Sequence, residues 1–340
     1  MRLLFVGFGT VGQGLAELLL ENHEALRNEY GLNWTVVGIA DMQKGMAYHP
    51  DGINLTKALE TLKAGHSLNE LPQAYVRGDA LALIEEAEAD VMLEATYTDI
   101  KTAQPATAHI KAALQRGMHV VTTNKGPLAL HYAELQAMAK ARGVHFLYEG
   151  TVMSGTPLLN LIRETLAGSG IQEIRGILNG TTNYILTRME EGLSYADALQ
   201  KAQELGYAEA VPDADVLGWD ALAKVTILAN TVFGATKKPF DSPCEGITQI
   251  SADAIADAKQ KGFRYKLIGR VWREGGEVHA SVAPMQIPLS HPLAGVMGAT
   301  NAVTIKSRAM GDVTIVGPGA GRTETGYSML IDLLHIARTR

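Results

Sequence analysis

Arg2-Leu3-Leu4-Phe5-Val6-Gly7-Phe8-Gly9-Thr10-Val11-Gly12-Gln13-Gly14 opens the chain with a short apolar run, breaks into glycine, and resumes as an amphipathic pattern through Leu15, Leu18 and Leu19. The run reads as a buried strand, the glycines as a turn and the remainder as a helix. Gly7, Gly9 and Gly12 form G-x-G-x-x-G, and each position has its own demand. The first makes a tight turn, the second lets the backbone approach a pyrophosphate, and the third lets helix and strand pack closely. The helix N-terminus favours the phosphate charge. A second strand, residues 34–40, leads to Asp41, where a carboxylate can accept a ribose 2′-hydroxyl. Strand, glycine turn, helix, strand and acid in that order read as a dinucleotide site with Gly7, Gly9, Thr10, Val11, Gly12 and Asp41 as contacts. A purely structural glycine turn is the alternative. No Gly-Lys pair occurs, which excludes a P-loop. Asp41 favours NAD, while Lys44 and Lys57 either neutralise the 2′-phosphate of NADP or are solvated surface, so NAD and NADP both stay open.

Outward from this stretch the rhythm continues. Residues 91–95, 119–121 and 144–148 read as strands, and 103–116 and 133–142 as helices, with 44–72 an excursion carrying one short helix. Strands alternating with helices of this length mean βαβ units and a parallel sheet. After about Glu149 the texture changes to glycine turns and longer helical patterns over 158–166, 182–189, 195–205 and 217–233. Strand-like segments 264–272, 277–282 and 304–316 follow, then a strongly amphipathic helix over 325–340. The fold expected is α/β: a doubly wound, Rossmann-type nucleotide-binding domain over 1–148, rejoined by the C-terminal helix segment 319–340, with a mixed α+β domain over 149–318.

Composition narrows the function. The chain has 340 residues, 46% of them hydrophobic, and a net charge of −6. With no basic block, it is not expected to bind nucleic acid or a membrane surface. No run approaches the roughly 18 apolar residues of a spanning helix. The single cysteine, Cys244, excludes a disulfide framework and fits a reducing, cytoplasmic compartment. A first strand at Arg2 leaves no room for a signal peptide. Glycine is the outlier at 35 residues, against a norm of about 7%.

A nicotinamide enzyme must handle a proton as the hydride moves. Tyr97 and Lys101 have Y-x-x-x-K spacing but follow a late strand, so Thr96 and Tyr97 fit a cofactor loop better than a catalytic pair. Zinc is disfavoured because no H-E-x-x-H or C-x-x-C occurs. Thr122-Thr123-Asn124-Lys125-Gly126-Pro127 falls at the carboxyl edge of the parallel sheet, where doubly wound folds bind ligands. Lys125 there is placed to meet the cofactor and to bind a carboxylate or relay a proton; a surface lysine is the alternative. The densest cluster runs from Gly206 to Lys224. Asp220 and Lys224 are i,i+4 on an otherwise apolar helix, so they share a face. Such a pair is costly to bury unless it is paired or used; an ordinary helix ion pair is the bland reading. Glu209, Asp213 and Asp215 suit a cationic amino group on a small substrate.

With these motifs in order, the sequence resembles homoserine dehydrogenase along nearly its whole length. Pro212 through Lys224 matches the family pattern P-x-x-D-[aliphatic]-x-G-x-D-x-x-x-K. Gly176-Ile177-Leu178-Asn179-Gly180-Thr181-Thr182-Asn183-Tyr184, Val120-Val121-Thr122-Thr123-Asn124-Lys125 and Gly317-Pro318-Gly319-Ala320-Gly321 accompany it. The resemblance implies reversible reduction of aspartate β-semialdehyde to homoserine with NAD(P)H, on the route to threonine, methionine and isoleucine. Lys224 is implied as proton donor and acceptor, with Asp220 orienting it and Lys125 assisting. Glu209 and Asp215 are implied to hold the substrate amino group, framed by Tyr207, Gly180 and Thr181. Gly321 belongs to the implied return to the cofactor. A monovalent cation such as Na⁺ is implied at the Glu149 side chain and main-chain oxygens of Val152, Ser154 and Thr156. The 149–318 domain is implied to be catalytic and to form a homodimer. Two departures stand out. Val211 replaces the polar residue usual before the signature proline, and no appended amino-acid-binding domain follows the last helix, so threonine inhibition through one is not expected. Val211 keeps open a relative acting on another small semialdehyde or hydroxy acid; a non-catalytic nucleotide sensor is the third reading.

Overall fold

The structure, a computed structural model, describes residues 1–75 and 77–339. The chain divides into two compact units, Met1–Gly155 with Gly321–Arg340, and Thr156–Ala320. The first therefore runs on past residue 148, and the crossing points fall several residues after those expected at 148/149 and two after 318/319. The extra residues belong to the first unit because they are tied to its last helix. The Glu149 backbone N–H donates to Asp332 at 3.0 Å, and the Ser154 and Thr325 hydroxyls meet at 2.6 Å.

The first unit is built on six strands: β1 (Arg2–Val6), β2 (Thr35–Asp41), β3 (Gly45–Tyr48), β4 (Val91–Glu94), β5 (His119–Thr122) and β6 (Phe146–Leu147). Their order is β3-β2-β1-β4-β5-β6. All pairs are parallel except β2–β3. The strand order reverses between β1 and β4, which opens a crevice at their carboxyl ends, the usual ligand position in such sheets. Leu3, Phe5, Leu15 and Leu19 pack with Met329, Leu330, Leu333 and Leu334 of the helix Arg322–Thr339 in one buried cluster. That helix lies close against the helix Thr10–Glu21, with Gly326 on the Leu15 backbone and Arg322 paired with Glu17 through two hydrogen bonds, 3.0 and 2.7 Å.

Three expectations need correction here. Residues 44–72 hold not only a helix, Leu55–Lys63, but also β3, an antiparallel edge strand paired back onto β2. Its four residues carry too little alternation to be read as a strand. The helix expected at 133–142 begins at Lys125 and spans Lys125–Arg142. Asn124 caps it by accepting from Gly126 N–H at 3.2 Å, and Pro127 is tolerated in the first turn, where no backbone donor is required. Asp41 is the last residue of β2, not a residue beyond it.

The second unit is a five-stranded antiparallel sheet of β7 (Ile171–Ile177), β8 (Phe263–Glu274), β9 (Glu277–Pro288), β10 (Thr300–Ser307) and β11 (Gly311–Pro318), in the order β11-β10-β7-β8-β9. The expected strand 304–316 is two strands joined by a tight turn with Gly311 at φ +72°. Strand β7 carries too many charges to stand out as a strand. The helix Trp219–Thr231 packs on β8 and β9 and is buried without a break from Ala221 to Asn230. Among the described residues no helix is long and apolar enough to cross a membrane.

Candidate active site

In the first unit the glycine turn does what its residue types demand. Gly7 has φ +90°, and a Cβ there would run into the Ala95 carbonyl. A Cβ on Gly12 would lie 2.6 Å from the Gly7 carbonyl, so helix and strand touch through it. Nothing lies within 4 Å of the Cβ position of Gly9; it borders open space at the N-terminus of the helix begun by Thr10 and Val11. That space belongs to a cavity of about 750 Å³ lined by Gly7, Gly9, Asp41, Thr96 and Tyr97, among others. The Asp41 carboxylate also ties the turn to β2. Oδ2 accepts from Phe8 N–H at 2.7 Å, and Oδ1 accepts from the Gln43 and Lys44 N–H groups at 3.0 Å each. Oδ1 is thereby saturated, while Oδ2 keeps a lone pair for a ligand hydroxyl.

Glu94, at the end of β4, is a residue that the sequence reading missed. It is fully buried and accepts from Thr96 N–H at 3.0 Å, from the Thr96 hydroxyl, and from the Thr122 hydroxyl at 2.7 Å. Burial raises its pKa, and those hydrogen bonds oppose the rise. Asn124 then donates to the carbonyls of Thr96 and Tyr97 at 3.2 and 3.0 Å. Glu94 and Asn124 thus lock the Thr96–Tyr97 loop to the helix start that carries Lys125. The available signal was a carboxylate in a strand otherwise composed for burial on both faces. Tyr97 and Lys101 lie in the loop before the helix Ala106–Gln115, not on one helical face. Gly321, at φ +146°, is the first residue returning to this unit.

In the second unit the acidic cluster closes around Lys224. Its Nζ donates to Asp220 Oδ2 at 2.8 Å and to the Leu178 carbonyl at 2.6 Å, and the residue is 7% exposed. Asn179 bridges the carboxylates, donating to Asp215 Oδ1 at 2.6 Å and Asp220 Oδ2 at 3.1 Å. Its Oδ1 caps the helix Gly180–Glu190 by accepting from Thr182 N–H at 2.9 Å. One side chain therefore uses its acceptor for the fold and its donors for the site, a role not assigned to it from the sequence. Burial, opposed by the Asn179 hydrogen bond and helped by the nearby Asp220 charge, pushes the Asp215 carboxyl up. Thr181 donates to the Tyr207 carbonyl at 2.5 Å, and the Tyr207 ring lies 5.0 Å from that of Tyr184. Gly180 sits on the Ala299 carbonyl, where a Cβ would come within 2.5 Å.

Asp215, Asp220, Lys224, Gly180, Thr181 and Tyr207 are thus gathered by the fold of this unit. Glu209 and Val211 are not: both sit on the exposed segment before the helix Asp213–Val216, and no ion pair ties Glu209 to the cluster among the described residues. The cation candidates Glu149, Val152 and Ser154, expected in the second domain, lie in the first unit, and Thr156 opens the second. All four are buried, and Met153 and Ser154 adopt φ +61° and +52°, which turns the main chain sharply there. Among the described residues no three His, Cys, Asp or Glu side chains converge on a metal position.

The sequence comparisons point the same way. The family model for homoserine dehydrogenase matches residues 157–334, and that for the homoserine dehydrogenase NAD-binding domain matches residues 7–149. The chain is 45% identical to an NAD(+)-dependent homoserine dehydrogenase of Pseudomonas canavaninivorans, covering 98% of this chain and 96% of that protein. It is 41% identical to a homoserine dehydrogenase of Methanocaldococcus jannaschii, covering 99% and 98%. Among solved structures, a hyperthermophilic archaeal homoserine dehydrogenase mutant in complex with NADPH is 30% identical, with a TM-score of 0.85 over 100% of this chain and 98% of that one. A glycine turn bordering open space, a lysine held between a carboxylate and a carbonyl, and relatives matching from end to end place the chain in the homoserine dehydrogenase family.

Proposed function

We propose that this protein interconverts L-homoserine and L-aspartate β-semialdehyde with NAD(P)(H). The observation that carries the reading is Lys224, buried on an apolar helix and held by both Asp220 and the Leu178 carbonyl. Those two hydrogen bonds hold its amino group at one point of the site, as a positioned acid or base requires. The nicotinamide, when bound, accepts or returns the hydride at the substrate carbon. Lys224 does the matching proton work at the substrate oxygen: its amine takes the hydroxyl proton in oxidation, and its ammonium returns one in reduction. Asp220 orients it, and Asn179 keeps Asp220 and Asp215 at a fixed spacing. Asp215, together with Glu209, takes the substrate ammonium, while Tyr207, Gly180 and Thr181 shape the pocket. Lys125, at the start of its helix, assists from the cofactor side. Gly7, Gly9, Thr10, Val11, Gly12, Asp41, Thr96 and Gly321 serve the cofactor.

The Asp41 carboxylate accepts a 2′-hydroxyl and repels a 2′-phosphate, which favours NAD over NADP. The family resemblance further suggests a monovalent cation such as Na⁺ at the buried Glu149 side chain and main-chain oxygens of Val152 and Ser154, with Thr156 the remaining candidate. The protein works in the cytoplasm as a homodimer, for which the second unit offers the edge strand β11 with Val316 exposed. Steady-state oxidation of homoserine with NAD⁺ and then NADP⁺ tests the reading. Turnover with a lower KM for NAD⁺ is expected, and no turnover with either overturns it. A second reading, action on another small hydroxy acid, draws on Val211, 73% exposed where the family pattern has a polar residue. Equal efficiency on homoserine and its close analogues favours that one.

A further inference from the structure

One wall of the first unit's cavity has no part in the contacts described so far. Asp79 caps the helix Ala80–Glu86 by accepting from Ala82 N–H at 3.0 Å through Oδ1, which leaves Oδ2 for a ligand. His109 stands at the end of the first turn of the helix Ala106–Gln115. Both line the cavity, together with Met46, Tyr75 and Leu81. His109 is 6% exposed, and its Nδ1 is sealed from solvent without a hydrogen-bond partner. A sealed N–H is rarer in proteins than a sealed lone pair, so we assign the ring proton to Nε2. Burial holds the imidazole pKa down, with the Asp79 charge opposing, so at neutral pH the ring is uncharged and offers a single donor. The wall therefore presents a donor and an acceptor beside apolar side chains.

A flat ring that carries an amino donor next to a ring-nitrogen acceptor complements that pattern, and adenine is such a ring. The tether between base and pyrophosphate also puts adenine in this cavity, since Gly9 and Asp41 lie on the same lining. We infer that His109 and Asp79 read the edge of the adenine base, His109 donating to a ring nitrogen and Asp79 accepting from the exocyclic amine. The inference rests on the dinucleotide reading above and adds base selectivity to it.

Nicotinamide hypoxanthine dinucleotide tests it, because its carbonyl replaces the amine and would face the Asp79 carboxylate. The wild-type KM for this analogue should exceed that for NAD⁺ by at least about tenfold, since a polar group left facing a like group is strongly rejected. Asp79→Ser keeps a helix cap and should bring the ratio of the two KM values close to one. His109→Leu should raise KM for NAD⁺ about five- to tenfold, leaving kcat, KM for homoserine and the use of reduced nicotinamide mononucleotide unchanged. His109→Gln serves if the leucine variant does not fold. A wild-type enzyme that uses both dinucleotides with equal KM overturns this inference alone, as does a ratio unmoved by Asp79→Ser. A wild-type protein that binds neither NAD⁺ nor NADP⁺ overturns the dinucleotide reading beneath it.

Discussion

The two units hold their chemistry by opposite means. In the first, the site is made by omission: Gly7, Gly9 and Gly12 leave out side chains so that backbone can turn, border open space and pack. In the second it is made by charge: Lys224 is buried, with half-buried Asp215 and Asp220 beside it and spaced by Asn179. Adding one carbon should therefore damage the first, and removing a functional group should damage the second.

The largest effect expected is at Lys224. Lys224→Ala removes the proposed proton-transfer group and should cost about 10²–10⁴ in rate, while NAD⁺ binding measured by fluorescence titration stays unchanged. Activity near wild type would break the contrast at its strongest point. The glycines sharpen the other side, because two of them should fail differently. Gly9→Ala meets open space, so the melting temperature should hold while KM for NAD⁺ rises about tenfold, equivalent to about 1.4 kcal/mol. Gly7→Ala forces a side chain into left-handed backbone, about 1–2 kcal/mol, and onto the Ala95 carbonyl besides, so a clear drop in melting temperature is expected. Equal loss of stability in both variants would show that Gly9 is structural.

Smaller effects come from pH. In the proposed role Asp215 takes a substrate ammonium only as a carboxylate, and its pKa is raised by burial. KM for homoserine should therefore climb as pH falls, beginning above the usual carboxylate range; a KM flat down to that range would exclude Asp215 from substrate binding. The smallest effect concerns Lys266, which is 1% exposed and whose pKa is lowered to about 8 by burial and the Arg264 charge. Its Nζ donates to Asn183 Oδ1 at 2.8 Å and to the Val296 carbonyl at 2.5 Å. Because its folded pKa lies below its unfolded one, the unfolded chain holds the extra proton between about pH 8 and 10.4, and stability rises across that window. Urea melts should show a shallower rise in Lys266→Met.

The same contrast explains what could be read in advance. The glycine turn is legible because omission leaves a spaced pattern of one residue type, and the Asp220–Lys224 pair is legible because helical spacing puts both on one face. Glu94 and Asn179 stayed hidden because their partners, Thr122 and Asp215, come from distant segments brought together only by sheet and helix packing. The helix start at Lys125 was lost because Gly126 and Pro127 read as a loop, although both are compatible with a first turn. Strand β3 was lost because four residues carry no usable period, and its pairing depends on β2.

The close packing of the helix Arg322–Thr339 against the helix Thr10–Glu21 has a consequence for synthesis. The first unit's core borrows Met329, Leu330, Leu333 and Leu334, which leave the ribosome after the whole second unit, Thr156–Ala320. At about 5–20 residues per second, the N-terminal sheet waits tens of seconds with Leu15 and Leu19 lacking their native cover, whereas the inserted unit has all its strands in hand. The unit that emerges first is thus the last to be completed, with apolar surface open to aggregation in the interval.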